Sequence, residues 1–140
     1  MSGGLALEDR QAIEDLIHRF YWLVDEGRAS EGATLFTADA SITFGPGAPR
    51  PGTTSGADLG PMLVARQAMT HVLTRHVLSN LQMEPCADGS VIVRLLMTLY
   101  RTEDGTRAPT PNTIADVTEV VVRGGGAWRF ARREIRPIFY

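Results

Sequence analysis

Beyond residue 70 the chain consists of four long runs rich in β-branched and aromatic residues: Val72–Glu84, Val91–Thr102, Thr113–Arg123 and Ala127–Ile138. The segments "ADGS", "EDGTRAPTP" and "RGGG" between them are turn signals. Consecutive strands joined this way form an antiparallel sheet, and a sheet must bury at least one face. The first half of the chain supplies the cover. From Leu7 to about Gly27, the apolar residues Ile13, Leu16, Ile17, Phe20 and Val24 recur at helical spacing. Glu8 and Asp9 lie where the positive end of a helix dipole favours acids, and Gly27 is a C-terminal stop. A short helix is expected over Ala29–Phe36, a short strand over Ala40–Phe44, and a further helix from near Pro61, since proline fits a first turn. Helices followed by strands define an α+β fold with helices packed on one face of the sheet. With no linker, repeat or low-complexity tract, residues 1–140 read as one domain, a length that can bury a core of its own.

Two stretches depart from this simple plan. Gly45–Gly56 carries Gly45, Gly47, Gly52 and Gly56 together with Pro46, Pro49 and Pro51, and reads as an irregular loop of the kind that forms functional lids. The run "VIVRLLMTLY", Val91–Tyr100, is apolar on both faces, so it needs cover on both sides. Helices can supply one cover; a second copy of the chain is expected to supply the other, as a homodimer.

Composition narrows the function. A net charge of −2 excludes nucleic-acid binding by bulk electrostatics, which needs a clustered basic surface. The single Cys86 can form no internal disulfide, which fits a reducing compartment. The opening "MSGGLALEDRQ" lacks the basic and apolar regions of a signal peptide, and no apolar stretch approaches the ~20 residues of a membrane helix. The expectation is a soluble cytoplasmic protein with no membrane or nucleic-acid partner. There is no Gly-rich phosphate loop and no nucleophile elbow. His71 and His76, five residues apart, fall on opposite faces of a strand and cannot share a metal. No cofactor is implied.

What remains is an acid–base set. In "LTRHVLSN", Leu73–Asn80, one face of the strand carries Thr74, His76, Leu78 and Asn80, a mixture unsuited to a plain core face. A core histidine would explain His76 as well as a catalytic one would. On the first helix, Tyr21 and Asp25 are i,i+4 neighbours at the margin of the apolar stripe. Partial burial there would raise the Asp25 pKa and suit it to proton transfer, whereas an exposed acid at the helix end beside "EGR" would be a plain surface residue. Glu119 shares a strand face with Val117 and Val121, marking either a pocket group or an open face, and Arg132 and Arg133 read as salt-bridge partners.

Taken together, "IEDLIHRFYWLVDEG", "LFTADASITF", "LTRHVLSNLQME" and "DVTEVVVRGGGAWRFARREI" resemble the SnoaL-like domain family of the nuclear transport factor 2-like superfamily. Relatives in that superfamily include polyketide cyclases, scytalone dehydratase and bile-acid dehydratase. The resemblance spans about Leu7 to Ile135. It implies a cone: a curved antiparallel sheet and N-terminal helices around a pocket. His76 matches the strand histidine that dehydratases of the family use as general acid/base, and Asp25 the helix-end aspartate paired with it. Glu119 falls where many members carry an Asp nine residues before the strand tryptophan, here Trp128. Val24 stands where scytalone dehydratase-like enzymes carry a tyrosine, and "TRAPTPNT" holds no counterpart of their second histidine.

The resemblance therefore implies a cofactor-free acid–base enzyme, a dehydratase, isomerase or cyclase, acting on a small apolar oxygenated metabolite such as a polyketide or terpenoid intermediate. His76 and Asp25 would be catalytic, and Tyr21, Asn80, Glu119, Phe20 and Leu78 would line the substrate. A second reading is epoxide opening, in which Asp25, Glu119 and an arginine such as Arg94 or Arg132 converge on a water. A third is a ligand-binding protein or dioxygenase β-like subunit without chemistry, in which Asp25 and His76 would stand too far apart to hydrogen-bond or side chains would fill the pocket.

Overall fold

The computed structural model describes residues 4–105 and 110–139. Helix α1 runs Leu7–Asp25 and buries Ile13, Leu16, Ile17, Phe20, Tyr21, Leu23 and Val24, the stripe expected from its spacing. A 3-10 turn over Ala29–Leu35 leads into strand β1, Phe36–Phe44, which starts four residues before its expected beginning. The Gly/Pro-rich stretch is not wholly irregular. Its end forms strand β2, Gly52–Ser55, antiparallel to β1, and the Thr43 and Thr53 hydroxyls meet across the pair at 2.8 Å. The expected lid is thus partly a hairpin at the sheet edge. Helix α2 covers Leu59–Ala68, with Pro61 in its first turn.

Strands β3 (Leu73–Pro85), β4 (Val91–Thr102), β5 (Pro111–Gly124) and β6 (Ala127–Phe139) follow. They give a six-stranded, curved, unclosed sheet in the order β2-β1-β6-β5-β4-β3. Every neighbouring pair is antiparallel except β1 and β6, which run parallel, so the sheet is mixed. Local patterning predicts antiparallel hairpins but is silent about which strand a distant β1 will join.

The core fills the side of the sheet facing α1 and α2. Val91, Val93, Leu95 and Met97 of β4, Ala115, Val117 and Val121 of β5, and Phe130 and Ile135 of β6 pack there against Ile13, Ile17, Phe20 and Leu63. The other side of β4 carries half-buried Ile92 and Leu96 beside exposed Arg94, and Val77 on β3 is 51% exposed. No helix among the described residues is long and apolar enough to cross a membrane.

Candidate active site

Asp25 is the last residue of α1, and its carboxylate sits at the negative end of the helix dipole with no basic residue in the last turn to offset it. Strand β3 supplies the compensation. The His76 imidazole Nδ1 lies 2.6 Å from Asp25 Oδ1, and the His76 backbone N–H donates to Oδ2 at 2.9 Å. The Thr74 hydroxyl donates to Oδ1 at 2.8 Å and accepts from Arg66 Nη2 of α2 at 3.0 Å. Arg75 Nη1 donates to the Asp25 carbonyl at 3.1 Å, capping the last carbonyl of the helix.

Burial alone would push the Asp25 carboxyl up, as expected from the sequence. The hydrogen bonds and charge of His76, with the Thr74 hydroxyl, outweigh it and hold the group below its ordinary value. Asp25 is therefore an ionised acceptor rather than a proton carrier, which corrects that expectation. An ionised Asp25 makes Nδ1 the donor and leaves Nε2 of a neutral imidazole with its lone pair free. Among the described residues no hydrogen bond engages Nε2. The two side chains are largely enclosed, His76 13% and Asp25 5% exposed.

Tyr21 lies one helical turn before Asp25, and its ring packs on the imidazole, centroids 4.7 Å apart and planes 37° apart. Its hydroxyl belongs to a second cluster. Arg133 of β6 donates through Nη2 to the Tyr21 hydroxyl and through Nε to Glu119 Oε2 of β5. This guanidinium is 3% exposed and Glu119 0%. It lies over the rings of Phe20, Tyr21 and Phe130 at 4.7, 5.0 and 5.2 Å from their centroids. Such contacts suit a weakly hydrated planar cation withdrawn from water. Burial raises the Tyr21 pKa to about 12, and the neighbouring Arg133 only partly offsets this. Glu119 Oε1 is buried and has no hydrogen-bond partner among the described residues.

The structure thus joins Asp25, His76 and Tyr21 in one place and connects Glu119 to them through Arg133 and Tyr21. Leu78 packs beyond His76 on the same inward face. Phe20 is 4% exposed and serves the core and the underside of Arg133. Asn80 is not brought in. It sits in a β-bulge between Ser79 and Gln82 with φ +57°, and it is exposed. Past the bulge, Leu81 and Met83 pack toward the core, so the inward face moves from even to odd positions. Arg94 and Arg132 are exposed and do not approach Glu119, whose cation is Arg133. Thr74 and Arg66 join the site without having been expected there. Thr74 had one available signal, its i,i+2 position on the face of His76; Arg66 had none, because its contact depends on how α2 docks.

A groove of about 600 Å³ lies at the other end of α1, lined by residues including Ala6, Asp9, Cys86, Val91 and Trp128, and it contains neither His76 nor Asp25. Among the described residues no group of three or more His, Cys, Asp or Glu is arranged to hold a metal.

Residues 5–134 match the family model of the SnoaL-like domain, and the chain belongs to that family. Solved structures share the fold at low identity. ActVI-ORFA from Streptomyces coelicolor is 17% identical over 94% of this chain and 98% of its own, with a TM-score of 0.79. A candidate scytalone dehydratase from Novosphingobium aromaticivorans DSM 12444 is 22% identical over 95% and 86%, with a TM-score of 0.80. A Catenulispora acidiphila protein solved in complex with S-DNPA is 21% identical over 94% and 95%, with a TM-score of 0.78. No curated protein matches the sequence.

Proposed function

We propose that the protein is a cofactor-independent acid–base enzyme of the dehydratase, isomerase or cyclase type, acting on a small apolar oxygenated metabolite. The observation that carries this reading is the 2.6 Å contact between His76 Nδ1 and an Asp25 carboxylate held ionised, which leaves Nε2 for a substrate. In the proposed step Nε2 takes a proton from a carbon next to a carbonyl, and Asp25 stabilises the imidazolium that forms. In an elimination the electron pair expels a β-hydroxyl, which receives the same proton from Nε2 and leaves as water. In an isomerisation the proton returns to another carbon; in a cyclisation the enolate attacks a second carbonyl, whose oxygen takes the proton from Nε2. Tyr21 orients the imidazole by ring packing. Membership of a family with dehydratases and cyclases supports the reading, as does the small molecule bound to a structural neighbour.

Proton exchange provides a test that does not depend on the natural substrate. Aromatic β-hydroxyketones incubated with the protein in D2O should exchange their α-protons or lose water, and His76→Ala should reduce either rate by about 10²–10⁴-fold. Full activity in His76→Ala would remove the assignment. Epoxide opening is less well supported, because Glu119 and Arg133 are committed to each other and to Tyr21. We further propose a cytoplasmic homodimer that covers the outer face of β3–β5 around Val77, Ile92 and Leu96. Light scattering should give twice the 15.3 kDa chain mass, and Val77→Asp should reduce it to one.

A further inference from the structure

Beside the His76–Asp25 pair stand two arginines that the proposed chemistry does not use. In the β3–β4 register Thr74 lies opposite Arg101 and His76 opposite Leu99. Directly opposed residues project from the same side of a strand pair, so Arg101 shares the inward side with Thr74 and His76. Arg66 reaches the same place from α2, where one N–H of its guanidinium meets Thr74 Oγ1 at 3.0 Å. Half-buried Arg66 has no carboxylate within ion-pair distance among the described residues. Among the described residues Arg101 pairs with Glu103 alone, at 3.5 Å, and Glu103 is 70% exposed. Pairs of that kind are worth little. Asp25, whose charge acts on Arg66, already accepts from His76 and Thr74. Burial and the Arg101 charge both press the Arg66 guanidinium below its ordinary value, and Asp25 offsets this only in part.

Two like charges from different elements, partly withdrawn from water and short of partners among the described residues, raise the energy of the empty site. An anion set between them would lower it and would find unused N–H donors in the fork geometry that suits a carboxylate. We propose that Arg66 and Arg101 form an anion-binding subsite beside His76, so that the substrate carries a carboxylate or a similar anionic group on the side away from the reacting carbon. This rests on the reading of His76 as the centre that receives the small molecule, and it narrows the substrate from an apolar oxygenated molecule to an apolar acid. Arg66 would have two duties, holding Thr74 with one donor and the substrate with others.

The test uses a shape-matched pair of probes, 2-naphthoate and 2-naphthamide, titrated by fluorescence, with the His76 imidazole signals followed by NMR. The acid is expected to bind at least tenfold more tightly than the amide and to shift the His76 signals. Arg101→Met and Arg66→Met should each remove about tenfold from the affinity for the acid, the scale of one charge-assisted hydrogen bond, and leave the amide unchanged. Thr74→Val, which breaks the Arg66–Thr74 bond but keeps both cations, should preserve the preference for the acid. Equal affinity for acid and amide would overturn the subsite, as would a preference that survives in the double variant Arg66→Met/Arg101→Met. Shifts confined to Trp128 would overturn it too. His76→Ala should keep the acid preference, so a failure of the acid–base mechanism and a failure of this subsite give different results.

Discussion

Two polar clusters meet at Tyr21, and they are built to opposite ends. The His76–Asp25 pair and the Arg133–Glu119–Tyr21 group each place a carboxylate against a nitrogen donor with a hydroxyl nearby. In the first, the imidazole keeps one ring nitrogen free of partners among the described residues and retains some exposure. In the second, the guanidinium is buried under three rings and committed to two oxygens. The difference separates what a polar group can do from what it can hold. A cluster with a free valence can exchange protons with a visitor; a sealed one fixes the distance between α1, β5 and β6. Changes in the first should therefore appear chiefly in rate, and changes in the second chiefly in stability.

The largest expected effect tests the first half of that contrast. His76→Ala should cut turnover about 10²–10⁴-fold while costing less stability than the change to the sealed cluster, because Asp25 keeps its bonds from the His76 backbone N–H and the Thr74 hydroxyl. A stability loss as large as that of Arg133→Ala would show that the pair is structural. Next comes the sealed cluster. Arg133→Ala leaves Glu119 buried without its counter-charge and should destabilise the fold by about 3–5 kcal/mol in urea denaturation. An unchanged denaturation midpoint would mean that the group is not a structural clamp.

Alkaline titration probes the bridge between the clusters. Tyr21 has its pKa raised from 10.0 to about 12 in the folded chain. Its neutral form is thus favoured by folding, and that contribution is complete below pH 10. It is lost as pH rises from 10 through 12, because the unfolded chain releases its proton first. The shift corresponds to roughly 3 kcal/mol, and Tyr21→Phe should flatten this limb of the stability profile. Asp25 behaves in the reverse sense. Its lowered pKa gives stability that is present above the unfolded carboxyl value and lost as pH falls through the folded one. Asp25→Asn should weaken that acid limb, which guanidinium titrations at successive pH values would show.

The smallest effect concerns the outer layer of the open cluster. Thr74→Val removes one acceptor and one donor between Arg66 and Asp25. About 1–3 kcal/mol of stability should be lost, with Thr74→Ser restoring it.

The parts of this structure legible in the sequence are those that follow local periodicity. Strand β4 has the limits its pattern predicts, Val91–Thr102, and the buried stripe of α1 is the one its spacing gives. What periodicity misses are events that reset it. Gly124 opposite Ala127 at the β5–β6 turn, extended without interruption, would place Glu119 across from Arg132. A bulge between Val120 and Val121 moves the register by one and delivers Arg133 to Glu119 instead, leaving Arg132 exposed. The bulge at Asn80 does the same on β3, where asparagine tolerates the left-handed backbone that most residues avoid. The His76–Asp25 pairing is legible only through family resemblance, since no local rule brings a helix end to a strand 51 residues away. Arg66 lies beyond both routes.

One further property follows from the way α1 is pinned. Near its first turn Asp9 accepts from Arg123 Nη2 at 2.7 Å and from Trp128 Nε1 at 3.4 Å, which ties it to the β5–β6 hairpin. At its last residue Asp25 is tied to β3. The helix is 19 residues long, about 28 Å at 1.5 Å per residue, and it acts as a ruler between distant points of one sheet. A single inserted residue would turn one anchor about 100° away from its strand while the other stayed in place. Length variation among functional descendants of this chain should therefore be tolerated in the hairpin turns and excluded from α1. Pocket walls are free to diversify; the spacing between the two aspartates is not.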